Sequence, residues 1–465
     1  MAALAEEERS SARPLPQSRM PREPGVMLSR RRVMGVSGAV TATGLFGCML
    51  PSMPSVSQPQ QERPTIRVLA RTSYDPSAWE VVAERDSQAQ VRVAVEIGPE
   101  QTAPYGQKLL SLAAAEALPD VTYVHPNFFS TAAGMGLLRD IGKLAARTTF
   151  DLQGIQRELL DSVRWIDGVV YALPYSGAAW ILIVNEGLFR GRGVILPMEH
   201  ERAGQWDWET FRETLRQLTV RAPGQPPIVG MPEHLRGMQY QSQWVFMAGG
   251  EVWSKDLSAC VLDQPPAVQA LEYLATLHAH DRVTIQPDEA GEFGGNIQAG
   301  FTTGRVGVYF RATTELQQVR EFAESGAQLG IAPVPRGPVR RAPRGAANSW
   351  AITQASKQPE AAWRAITAWH RDPLLEFLYK QKYLFPCREA QFDHPAFKAA
   401  LFPWENLEVE RQALRDMRIM ATPARFTEID QLWTRLWVQA RDGRRTVRDI
   451  LGEFVPQANA MLRDT

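Results

Sequence analysis

From Thr65 onward the chain alternates short β-branched runs with helical stretches, and this alternation limits it to a few architectures. Thr65-Ile66-Arg67-Val68-Leu69-Ala70 reads as a strand, and Val91-Arg92-Val93-Ala94-Val95 repeats the pattern after a helical stretch from about Trp79. Tyr105 to Ala117 sets Leu109, Leu110, Ala113 and Ala117 at helical spacing, and Pro119-Asp120-Val121-Thr122-Tyr123-Val124 reads as a third strand. The order strand, helix, strand, helix, strand predicts an α/β fold, a parallel sheet with helices on both faces.

Later signals are less regular. Val169 to Pro174 and Trp180 to Asn185 are apolar runs around the small residues Ser176-Gly177-Ala178-Ala179. Asp207 is placed to cap a helix carrying Trp208, Phe211, Leu215 and Leu218 on one face. Pro265-Pro266 opens another, with Val268, Leu271, Leu274 and Leu277 in line. Short strands are expected at 304–310 and 329–335, a basic Pro/Gly loop at 336–345, a helix at 359–370 and a mostly helical stretch from about 374. A length of 465 residues suits two or three domains.

The 51 basic residues balance 51 acidic ones. That balance argues against a nucleic-acid binder, whose affinity comes from neutralising phosphates. Cys48, Cys260 and Cys387 are too few for a disulfide scaffold and lack metal-ligand spacing. No cofactor is expected. Whether Cys260 and Cys387 pair is open from sequence.

Residues 1–28 are rich in charge, Pro and Ser. Ser29-Arg30-Arg31-Arg32 then precedes a weakly apolar run ending at Leu45-Phe46-Gly47-Cys48. The run is shorter than the ~20 apolar residues a spanning helix needs. It resembles a twin-arginine export signal followed by a lipobox, which implies lipidation at Cys48. Pro51 to Pro64 reads as an extended tether. The expectation is an exported, membrane-anchored monomer, with 1–47 as leader and 48–63 as tether.

The body resembles the family 1 extracellular solute-binding proteins, which include the maltose-binding type, over about 64–455. The resemblance rests on the order of several short motifs: Tyr105-Gly106-Gln107-Lys108-Leu109 through Leu118-Pro119-Asp120-Val121, then Gly136-Leu137-Leu138-Arg139-Asp140-Ile141, then Asp167 to Pro174. Asn185-Glu186-Gly187-Leu188-Phe189, Trp206 to Phe211, Phe301 to Val308, Gly330 to Pro335 and Lys357 to Trp363 continue it. It implies a two-lobed periplasmic-binding-protein-like fold of type II, with an interlobe ligand cleft and several chain crossings, near 175–179, 310–313 and 348–350. Lobe one would hold 64–175 with 314–348, and lobe two 176–313 with 349–465. The implied function is capture of a small polar ligand, most naturally a sugar, for the permease of an ABC importer. A ligand-presenting sensor of the same fold is the alternative within it.

Sugars offer C–H faces that stack on aromatic rings and hydroxyls that need partners once water is excluded. Loop and crossing positions expected at the cleft are Tyr74, His125, Asn127, Tyr175, Tyr240, Trp253, Phe310, Arg311, Asn348, Trp350 and Arg388. Trp208, Trp363, Trp369, Trp433 and Trp437 follow helical spacing and read as core. Many sugar-binding members carry an acid in the first crossing, and Ser176 to Ala179 has none. Arg311 would favour a carboxylate or phosphate, so a sugar acid or phosphate stands beside neutral saccharides and polyols. The rival reading, a secreted carbohydrate-active enzyme, needs two positioned carboxylates. Glu251 with Asp256, or Glu289 with Glu292, are candidates by spacing alone. No nucleophile elbow or phosphate loop is present, and the chain is read as a non-enzyme.

Overall fold

The computed structural model describes residues 63–71, 75–232, 237–293, 297–324, 326–423 and 425–463. The leader, Cys48, the tether up to residue 62, and Tyr74 lie outside them. The opening alternation folds as expected. Strands β1 (Thr65–Ala70), β2 (Arg92–Ile97) and β3 (Val121–Val124) pair in parallel, joined by helices α1 (Asp75–Arg85) and α2 (Thr102–Ala114). Helix α3 (Pro126–Gly134) leaves the end of β3 at once.

The remaining strands pair antiparallel. The two apolar runs at 169–174 and 180–185 are bridged by one 13-residue strand, β4 (Leu173–Asn185). At about 3.3 Å per residue it spans roughly 40 Å. Its first half pairs with β7 (Gly345–Ile352), which also pairs with β3. Its second half lies between β5 (Val308–Ala312) and β6 (Leu329–Ala332). The sheet order is β2-β1-β3-β7-β4-β5, with β6 on the far half of β4.

The small residues in β4 are packed, not loose. Ser176, Ala178 and Ala179 are buried and their backbone is paired with β7. A Cβ on Gly177 would lie 3.0 Å from Leu414 Cδ1 and from the Pro386 carbonyl. The stretch is small for a packing reason.

On the far half, Ile181 and Ile183 join the apolar cluster of Ile331, Val319 and Phe322, the last two from helix α7 (Leu316–Glu324). Leu182 and Val184 join the other cluster, with residues of α4 (Trp208–Leu218), α5 (Met238–Met247) and α6 (Pro265–Ala275). Alternation along one strand feeds two apolar layers. Asp207 caps α4 through the Thr210 N–H, 2.9 Å, as its position predicts.

Two expected segment assignments change. In 314–348, α7 and β6 stay with β5, because β6 bonds Leu182 to Asn185; the chain returns to the β3 side only at β7. In 349–465, α8 (Pro359–Thr367) and α9 (Leu407–Asp416) carry apolar faces into the core around β1 and β3. Only α10 (Phe426–Arg441) and α11 (Val447–Arg463) join the second core. The chain thus changes core along β4, again at β7 and again between α9 and α10, while Phe310 to Ala312 stay paired with the far half of β4.

The first core centres on an aromatic stack. Trp350 lies 5.0 Å from Trp79, 5.1 Å from Trp369 and 5.2 Å from Tyr175, ring centre to ring centre, and is 0% exposed. All five Trp residues read as core from helical spacing are buried. Trp350→Ala should cost about 3–5 kcal/mol of unfolding free energy by loss of contacts and cavity formation. Guanidinium denaturation is the measurement, and a loss under about 1 kcal/mol would show that the ring is not a core element.

Candidate functional site

The end of β3 and the start of α3 supply one wall. Asn348 on β7 accepts a 2.7 Å hydrogen bond from Tyr123 Oη, and Arg71 at the end of β1 stacks 4.9 Å above the Tyr123 ring. His125 caps α3: its Nδ1 accepts from the Asn127 N–H at 3.2 Å. The opposing wall comes from the start of α5 and the crossing before β7. The Asn127 side chain accepts from Gln239 Nε2 on α5, a bond between the two walls. Gln239 Oε1 accepts in turn from Arg344 Nη2 at 2.8 Å, and Gln243 Oε1 accepts from the Arg344 N–H at 3.3 Å. The Arg344 guanidinium carbon lies over two rings, 4.0 Å from the centre of Trp180 and 4.5 Å from that of Tyr240.

Beside this layer is a cavity of about 70 Å³ lined by Trp180, Tyr240, Gln243, Trp244, Phe310, Arg311 and Glu315. Arg311 stacks on Tyr309, meets Glu315 at 3.3 Å and donates to Gln318 at 3.0 Å. A wider open groove of about 680 Å³ is lined by Pro126, Glu158, Trp165, Ile166, Lys255 to Leu257, Ile419 and Thr422, among others.

The electrostatics follow from burial. His125 is pushed down to about 3 by loss of water, helped by the cations Arg71 and Arg344. With Nδ1 accepting, its proton sits on Nε2. Burial also lowers Arg344, against the opposing pull of Tyr240, Glu315 and Asp430. Asp430 is raised by burial, although its carboxylate accepts from the Met238 N–H at 2.7 Å at the head of α5.

Of the residues expected at the cleft, His125, Asn127, Tyr240, Arg311 and Asn348 converge here, and Phe310 lines the small cavity from within the second core. Four others do not. Trp350 and Tyr175 stack on each other inside the first core, beneath Trp79 and Trp369. Trp253 is buried against Phe426. Arg388 donates to the Asp151 carbonyl at 2.6 Å and covers Phe150, in a separate depression beside His370. Arg344, Trp180, Gln239 and Gln243 went unforeseen. Gln239 and Gln243 are four apart at a helix start and share a face; Arg344 sat in a stretch legible only as loop.

Three of the four carboxylates proposed by spacing hold structure together. Glu289 clamps Arg221, Glu251 reaches Arg418 at 3.2 Å, and Asp256 accepts from Ser254 and Ser258 in an exposed turn. Cys260 and Cys387 are free, buried thiols, each pushed up to about 12 by burial. Among the described residues no helix is long and apolar enough to cross a membrane.

Residues 72–370 match the family of bacterial extracellular solute-binding proteins. No curated protein matches the chain in sequence. Among solved structures, the sugar-binding protein MalE of Xanthomonas citri superposes with a TM-score of 0.73 at 17% identity, over 86% of this chain and 98% of its own. An ABC substrate-binding protein of Listeria monocytogenes in complex with cycloalternan gives 0.71 at 17% identity, over 86% and 99%. UgpB of Mycobacterium tuberculosis in complex with glycerophosphocholine gives 0.67 at 17%, over 85% and 98%. The fold is that of the type II periplasmic binding proteins.

The depressed His125 has a measurable consequence. The unfolded chain binds a proton near pH 6.5 that the native state refuses until about 3. The stability this histidine contributes is therefore full above about pH 6.5 and is lost as pH falls toward 3. The His125 ring, identified by its absence in His125→Gln, should show no NMR titration from about pH 8 to 4.5. A midpoint near 6.5 would contradict the buried, cation-flanked setting.

Proposed function

We propose that this chain, which belongs to the bacterial extracellular solute-binding protein family, is a lipid-anchored receptor that captures a hydroxyl-rich small solute, a carbohydrate or carbohydrate derivative, and hands it to an ABC importer. The observation that carries this reading is the convergence of aromatic faces and amide groups from two walls on one cleft. Tyr240 and Trp180 flank Arg344, while Gln239 joins Asn127 across the gap. Rings suit the C–H faces of a sugar, and side-chain amides both donate and accept, which matches hydroxyls. The Gln239–Asn127 bond is a small closing contact, of the kind that a bound solute would reinforce as the walls draw together. That cycloalternan and glycerophosphocholine occupy similarly folded proteins supports a polyhydroxylated ligand.

Export and anchoring are supported by the paired arginines at 30–32, the short apolar run to Phe46 and the Pro-rich segment after Cys48. Lipidation there would leave a body held off the membrane on a flexible leash, within reach of a permease.

Two measurements test the reading. A ligand at about 100 times its Kd stabilises the native state by about 2.7 kcal/mol. A thermal-shift screen across saccharides, polyols and their derivatives should therefore raise the melting temperature with at least one of them; a response confined to peptides would refute the proposal. In the producing cell, Cys48→Ser should move the protein from the membrane fraction to the soluble one, and unchanged membrane association would remove the lipid anchor from the account.

A further inference from the structure

Arg344 is half-buried, and the direct contacts of its guanidinium are neutral: the rings of Trp180 and Tyr240, a side-chain hydrogen bond with Tyr240 and the amide oxygen of Gln239, while its backbone N–H donates to Gln243. Among the described residues no carboxylate pairs with it. Glu315 and Asp430 act on it from further away, and both are engaged, Glu315 with Arg311 at 3.3 Å and Asp430 with the Met238 N–H at 2.7 Å. A cation drawn out of water without an acid at its side is costly, and the cost falls when an anion is supplied. The opposing wall brings more positive charge, since Arg71 lies over Tyr123 and, with Arg344, acts on His125. A guanidinium carries five N–H donors in one plane; Gln239 and Tyr240 engage only part of that set, and the remainder has the fork geometry that meets two oxygens of one carboxylate or phosphate.

We propose that the solute bears an anionic group, a carboxylate or phosphate ester on a hydroxylated body, and that the in-plane donors of Arg344 receive it. This rests on the carbohydrate-derivative reading above and narrows it. A neutral sugar meets the same rings and amides but leaves the Arg344 charge unanswered.

The test is titration calorimetry on the full chain with matched pairs: glucose against glucuronate and glucose 1-phosphate, and glycerol against glycerol 3-phosphate, with inorganic phosphate as a further probe. In at least one pair the anionic member should bind about tenfold or more tighter than its neutral twin, with an advantage that shrinks as salt is raised. The carboxylate and phosphate arms separate the two anion types. Arg344→Gln should remove the advantage while keeping the melting temperature of the ligand-free protein. If that variant unfolds, Arg344→Lys, which keeps the charge and loses the paired donors, should retain part of the preference. Equal or tighter binding of the neutral twins, or a preference that survives Arg344→Gln intact, overturns the inference and leaves the carbohydrate reading standing. Binding of inorganic phosphate alone, with no hydroxylated compound bound, defeats both.

Discussion

The backbone ladder of β4 is the constraint on which the rest of the structure depends. A chain that passes between two cores must keep its N–H and C=O groups bonded on the way, since unpaired buried ones are costly. Here one strand does so by changing partners: β7 along Leu173 to Ala179, then β5 and β6 from Trp180 to Asn185. The small side chains midway let α9 come close enough to cover the strand. Any residue larger than glycine at 177 would meet Leu414 and the Pro386 carbonyl. The two halves are thus coupled through a continuous, buried element, and the cleft opens beside the point where β4 exchanges one sheet neighbour for another.

That position also explains the chemistry of the cleft. Trp180 is the first residue of β4 after the exchange, and Arg344 the last before β7, so the strand switch itself brings ring and guanidinium together at 4.0 Å. The start of α5 then adds the Tyr240 ring, 4.5 Å from the same guanidinium. Burial, reinforced by the positive charge gathered there, keeps His125 neutral, so its imidazole serves as a helix cap. Carboxylates nearby are committed to arginines, serines or helix ends, which leaves the cleft rich in donors and poor in acids.

The parts of this protein legible in its sequence were those governed by local periodicity. The strands β1 to β3, the Asp207 cap and the amphipathic helices were all readable because alternation, capping and apolar stripes act over a few residues. Within the candidate site, His125, Asn127 and Tyr240 were singled out as loop positions, and the structure puts them at a strand end or helix start on the two facing walls. Trp350, Tyr175 and Trp253 were misplaced for one shared reason: an aromatic residue in an apolar run has the same local signature whether it faces a cleft or a core. Only the presence of Trp79, Trp369 and Phe426 above those rings separates the two cases.

The sequence by itself determined that the chain forms a parallel α/β unit at its start, that helices dominate its end, and that its motifs follow the order found in extracellular solute-binding proteins. Periodicity and motif order are written along the chain and need no partner. The tertiary structure decided which half each later segment joins, because strand pairing such as β6 on Leu182 to Asn185 is a contact across more than a hundred residues. It also decided that Arg344 meets the rings of Trp180 and Tyr240. A cation in a Pro- and Gly-rich stretch acquires a role only when distant aromatic faces close over it, and no local pattern encodes that meeting.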